Sequence, residues 1–173
     1  MTVEPRIMDK AREIEQHLRE KYRADVFLAG SLVTGLGIPG SIDFDFVLPA
    51  ESPSRFHELK DALERDLIPK PLNRETSDFA VFHGSVLNEK IDIALLPIHK
   101  AQAIRDQQDI VRRSLTEEEK LRIISRKKFL RNLPFLSRRI YNWYKRRLWK
   151  RLGMPRYHRT DMVWPADGTS WPE

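Results

Sequence analysis

An Asp-x-Asp pair set inside an apolar strand limits what this chain can become more than any other feature. Asp43 and Asp45 flank Phe44 within the run Ile42 to Leu48. Side chains two apart on a strand share a face, so both carboxylates project together while Ile42, Phe44 and Phe46 turn the other way into a core. A further carboxylate, Asp92, sits in the apolar stretch Ile91 to Leu96 and joins the pair if the two strands run side by side. Carboxylates brought together repel unless a cation stands among them, and their hard oxygens suit magnesium. The pattern predicts a buried sheet with a divalent-metal site on one face.

Gly30-Ser31 supplies a complementary element. Asp25 to Ala29 reads as a short buried strand, and Gly30 allows a sharp turn into a helical turn at Ser31 to Thr34. The first N–H groups of such a turn, together with the Ser31 hydroxyl, can receive phosphate oxygens. Gly35, Gly37, Pro39 and Gly40 then return the chain to the Asp-x-Asp strand. A phosphate cradle facing a metal-binding carboxylate cluster is the equipment that transfer of a nucleotidyl group needs.

Taken in order, Gly30-Ser31, three residues, Gly35, seven residues, Asp43-x-Asp45 and a later apolar-Asp92-apolar strand resemble the signature of the DNA polymerase β-like nucleotidyltransferase superfamily. Minimal nucleotidyltransferases, CCA-adding enzymes, poly(A) polymerases, oligoadenylate synthetases and antibiotic nucleotidyltransferases belong to it. The resemblance covers roughly residues 24 to 97, with a weaker echo to about 132. It implies that Asp43 and Asp45 hold two magnesium ions, with manganese as an alternative, and that Asp92 is the third ligand and helps activate the acceptor. Gly30 and Ser31 are implied to hold the triphosphate, ATP foremost. In similar proteins a basic residue on the helix after the third carboxylate contacts the triphosphate, which points to Lys127 or Lys128; a solvated basic face is the alternative for both. One departure stands out: the serine that many members carry just before the first aspartate is displaced here to Ser41 by Ile42. A haloacid-dehalogenase-type phosphatase also uses Asp-x-Asp, but Phe46-Val47 replaces the small polar loop expected after that pair.

The rest of the chain reads as one α+β body with an extension. Pro5 to Tyr22 is predicted helical, with Ile7, Ala11, Ile14 and Leu18 on one stripe. Ser52-Pro53 opens a second helix to about Leu67, serine as N-cap and proline at the first helical position. Pro69, Pro71 and Asn73 mark a loop, and Asp78 to Val86 with Glu89 to Leu96 form a hairpin turned near Asn88. These elements predict a small mixed or antiparallel sheet with flanking helices over residues 1–115, followed by a basic helical extension and a Trp/Pro tail over 116–173 packed on the same body. Thr116-x-x-Glu119 is a capping box that starts a helix to about Asn132. After Pro134, Leu136, Ile140, Tyr144, Leu148 and Leu152 recur every fourth residue as a second stripe.

Charge divides the molecule. Lys120 to Thr160 holds 15 Lys or Arg and none of the 25 acidic residues, which leaves the remainder with 16 basic residues and a net charge of −9 beneath an overall +6. Such an acid-free arm calls for a polyanion. Around the second stripe stand Arg138, Arg139, Lys145, Arg146, Arg147, Lys150 and Arg151, with Trp143 and Trp149 between them. They suit an RNA backbone with unpaired bases stacked on the aromatics; packing with a solvated face, or a membrane surface or partner protein, are the other readings. His57, His83, His99 and His158 show no ligand spacing and carry no assigned role. Trp164-Pro165 and Trp171-Pro172 are expected to anchor the tail. With no cysteine there is neither a disulfide nor a thiolate site, and no run approaches a membrane span, so a cytoplasmic protein without integral membrane association is expected. The function expected is transfer of NMP from an NTP to a hydroxyl, an RNA end foremost; a protein-modifying enzyme of toxin-antitoxin type and a non-catalytic nucleotide- or RNA-binding module are the alternatives.

Overall fold

The computed structural model describes residues 5–38, 43–71, 78–131 and 137–152, with only the backbone described at several positions near the ends of the last two helices. Ser41, Ile42, Asn73, Leu136, the side chains of Arg138, Arg139, Lys145 and Trp149, and the Trp/Pro tail lie outside the described residues. Helix α1 spans Pro5–Tyr22 and leads to strand β1, Phe27–Ala29; the five-residue helix α2, Gly30–Thr34, follows at once. Strand β2 is Phe44–Ala50, α3 is Pro53–Asp66, and β3 to β5 are Ile68–Pro69, Ala80–Val86 and Glu89–Pro97. Three helices complete the chain: α4 at Ile98–Ser114, α5 at Glu117–Arg131 and α6 at Ser137–Arg151.

The strands form one mixed sheet in the order β1-β2-β5-β4-β3, parallel between β2 and β5 and antiparallel elsewhere. Alternation along the strands gives each face its character. Leu28, Phe46, Leu48, Phe82, Ile93 and Leu95 point to one side and form the main core with α1 and α3, both of which present apolar stripes to it. The opposite face carries Phe27, Val47, Val81, Ala94 and Leu96, covered by Ala101 and Ile104 of α4. Helix α4 covers only that apolar portion. Further along the same face, in strand register, stand Ala29, Asp45, Asp92 and His83. The open half of the sheet is therefore the half that carries the polar residues.

Local chemistry explains most of the elements. Ser52 Oγ accepts the Arg55 N–H at 3.1 Å ahead of Pro53, as a serine N-cap before a first-turn proline should. Leu87 and Asn88, at φ 50° and 66°, make the tight turn between β4 and β5, both residues in the left-handed region that such two-residue hairpins require. Two elements depart from the sequence expectation. The segment at Pro69, read as loop, forms the short edge strand β3 against β4, where a proline lacking an N–H is tolerated. Helix α4 had no counterpart in the sequence reading. It is fixed by a buried pair in which Lys100 Nζ donates to Asp78 Oδ2 at 2.6 Å, and by Arg105, which pairs with Asp25 and lies 4.1 Å over the Phe27 ring. Helices α5 and α6 join the body through Leu36, Val111, Leu115, Ile123 and Leu148.

Candidate active site

Parallel pairing of β2 and β5 sets Asp45 directly beside Asp92. Neither strand could do this alone, since the two residues are far apart in sequence and meet only through register. Asp43 lies just before β2, exposed, at the open end of the same face. The electrostatic consequence falls on Asp45: burial first, then the charges of Asp92 and Asp43, push its carboxyl up from 3.8 to about 6, against the opposing pull of Lys70 and Lys127. A carboxylate this reluctant to ionise marks a place where negative charge is under-compensated. Such perturbed groups cluster at functional sites.

Gly30 closes the site from the β1 side. Its φ is +75°, and a Cβ built there would fall on Asp45 Oδ2. Only glycine lets the backbone both take the left-handed turn and pass this close to the carboxylate. Helix α2 then turns once and ends at Gly35, φ +71°, whose N–H and that of Leu36 return to the Leu32 and Ser31 carbonyls. Ser31, half-buried, stands in the first turn of α2. Of the two lysines considered on α5, the structure brings in Lys127, whose Nζ donates to the Leu36 carbonyl at 2.9 Å and is near enough to pull Asp45 down. Lys128 stays exposed.

Two residues beside the carboxylates carry no signal in the sequence. Lys70, one residue beyond β3, donates from Nζ to Asp92 Oδ2. His83 is the β4 register partner of Asp92 and shares its face. Both arrive through strand pairing, so only knowledge of the strand order could have found them.

The family model for the nucleotidyltransferase domain matches residues 11–149, from the first helix through the last. This chain belongs to that nucleotidyltransferase family. No curated protein and no solved structure matches it. Membership fixes the reaction class as transfer of a nucleoside monophosphate and makes a nucleoside triphosphate the donor substrate, as the strand and turn motifs imply. Nucleotidyltransferases commonly use divalent metals, and the residues here suit one of a particular kind. Among the described residues no three Asp, Glu or His side chains are placed to hold an ion by themselves, while Asp92 and Asp43 both lie near enough to Asp45 for their charges to raise its carboxyl. Asp92 is held by Lys70, and Asp43 remains at the rim. Magnesium is typically held by one or two carboxylates with substrate phosphates and waters completing its shell. The donor set fits an ion that arrives with the nucleotide.

The nucleotidyltransferase body carries a second concavity, a groove of about 620 Å³ between α5 and α6. Arg122, Arg126 and Phe129 line it from one helix and Trp143, Arg147 and Arg151 from the other. Among the described residues Trp143 and Phe129 are 54% and 66% exposed, unusual for large aromatics. Arg147 stacks on the Trp143 ring at 4.6 Å and Arg126 on Tyr144 at 4.9 Å, while Arg151 pairs with Glu119. Arg146 and Lys150 are exposed elsewhere on α6. Phe129, Arg122 and Arg126 join Trp143 and the basic residues named from the sequence; their meeting depends on how α6 folds back on α5. No described helix is long and apolar enough to cross a membrane.

Proposed function

We propose that this nucleotidyltransferase moves a nucleoside monophosphate, AMP foremost, from its triphosphate to the terminal hydroxyl of an RNA. Asp45 side by side with Asp92, at the mouth of the Gly30 turn, is the observation that carries the transfer chemistry. Asp43 and Asp45 would hold two divalent ions, magnesium or manganese, with Asp92 as the third ligand. Those ions supply neutralisation of triphosphate charge and polarisation of the reacting oxygens. The acceptor hydroxyl oxygen attacks the α-phosphorus, the α–β bridging P–O bond breaks, pyrophosphate departs, and the hydroxyl proton passes to the Asp92 carboxylate. The first turn of α2, with Gly30 and Ser31, receives triphosphate oxygens, and Lys127 adds positive charge from α5. All three act by position and charge, as phosphoryl transfer requires.

The RNA assignment rests on a separate observation, the arginine and aromatic groove between α5 and α6. A small acceptor needs only a local pocket, whereas an unpaired strand gains from guanidinium groups spaced for phosphates and rings open for bases. The test offers α-labelled ATP with mixed RNA, with a protein lysate freed of RNA, and with small aminated sugars. Label in RNA supports the proposal. Label in protein alone would move the acceptor to a side-chain hydroxyl, and no label anywhere would favour a binding module that retains the fold.

A further inference from the structure

Lys70 is positioned by backbone that belongs to none of the catalytic strands. Its N–H donates to the Val81 carbonyl at 2.7 Å, extending the β3–β4 ladder past Pro69. Prolines on both sides, Pro69 and Pro71, restrict the backbone around it. That register sends the side chain onto the face shared by His83 and Asp92, and the ammonium ends on Asp92 Oδ2. A buried lysine–aspartate pair elsewhere in the molecule serves for comparison. Lys100 and Asp78 are 8% and 9% exposed and pin α4 to the sheet, while Lys70 and Asp92 are 36% and 31% exposed and stand on the open half of the sheet. A buried pair of that kind is structural, because breaking it strands a charge. A half-open pair on a ligand-facing carboxylate can exchange partners at little cost.

We propose that Lys70 is a resident counter-cation for Asp92, displaced when a divalent ion enters with the triphosphate, so that metal and nucleotide load together. The proposal rests on the reading of Asp45 and Asp92 as metal-holding carboxylates. A free divalent ion approaching the carboxylates meets an ammonium already on one of them and is repelled by it. A metal-triphosphate complex brings oxygens of its own. Lysine is a compact charge on a flexible stem with three rotatable donors, so its ammonium can leave Asp92 for a phosphate oxygen without moving the β3 backbone. Lys70 is thus a positioning residue whose effect is read in metal binding.

Mn²⁺ binding to the full chain, followed by electron paramagnetic resonance with and without a non-hydrolysable α,β-methylene ATP, tests this directly. Without nucleotide, Lys70→Met and Lys70→Gln should each bind Mn²⁺ about tenfold tighter than wild type. Adding Asp92→Asn to either should abolish the gain. With the analogue, the gap between wild type and variants should close to about twofold or reverse, because the lysine then serves the phosphates. Neutral variants that keep their circular dichroism yet bind Mn²⁺ no tighter than wild type overturn the proposal, as does unfolding of both variants, which would make Lys70 a structural pin. If no protein binds Mn²⁺ even with the analogue, the metal-holding reading of the two carboxylates falls too. Loss of nucleotidyl transfer with the Mn²⁺ pattern intact would instead overturn the proposed reaction alone.

Discussion

The contact between Gly30 and Asp45 leaves no room for a side chain. A methyl group at Gly30 must displace the carboxylate it meets while the backbone holds φ at +75°, so Gly30→Ala is predicted to cost about 1–3 kcal/mol in a denaturant melt and to remove transfer activity. Asp45 itself works against folding. An unfolded aspartate titrates near 3.8, whereas in the fold burial and the neighbouring aspartates push Asp45 to about 6. Between those values the folded chain keeps a proton that the unfolded chain has released, so stability falls as pH rises through the window and the penalty is constant above it. Asp45→Asn removes the ionisable group. In metal-free buffer it should raise stability at neutral pH by about 1–3 kcal/mol, and the gain should vanish below about pH 4. Melts at both pH values check this, and an asparagine variant no more stable than wild type at neutral pH would contradict the assigned cause.

Among the elements, α5 separates stability from ligand binding. Its Thr116 Oγ1 accepts the Glu119 N–H at 3.2 Å while Glu119 Oε2 accepts the Thr116 N–H at 3.0 Å, a reciprocal cap at the end of the helix far from Lys127. Thr116→Ala should lower stability by about 1 kcal/mol with the triphosphate KM little changed. Lys127→Met should act on ligand binding, raising that KM several-fold, since its ammonium, hydrogen-bonded to the Leu36 carbonyl and near enough to Asp45 to pull it down, brings positive charge to the site. Elements built from local rules were legible in the sequence. The capping box of α5, the serine cap of α3, and the alternation within β2 and within β5 all follow from neighbours in the chain. Helix α4 was hidden because its N-cap, Pro97, makes no side-chain cap and its buried positions include Lys100 and Gln107, which blur the apolar stripe. Strand β3 was hidden because two exposed residues beside prolines look like loop. Lys70 and His83 at Asp92 were hidden for a different reason, as register between strands is a tertiary fact that no local pattern encodes.

At the scale of the whole molecule, an acidic body faces a substrate that is itself polyanionic, and the acid-free arm offsets that mismatch. The groove predicts how much. Replacing Arg126 and Arg147 by Gln should weaken RNA binding and make its logarithmic dependence on salt shallower by roughly 1.4, one phosphate contact for each arginine on a single strand. Equal slopes for wild type and the double variant would remove the groove from the acceptor's path. The central claim is that Asp45 and Asp92, adjacent in register, are the transfer site. Single-turnover release of labelled pyrophosphate from β,γ-labelled ATP, with RNA and magnesium present, tests it most directly in wild type, Asp45→Asn and Asp92→Asn. Wild type should release pyrophosphate in step with labelling of RNA, and each asparagine variant, folded by its melt, should be slower by about 10²-fold or more. Variants that release pyrophosphate at the wild-type rate would contradict the account.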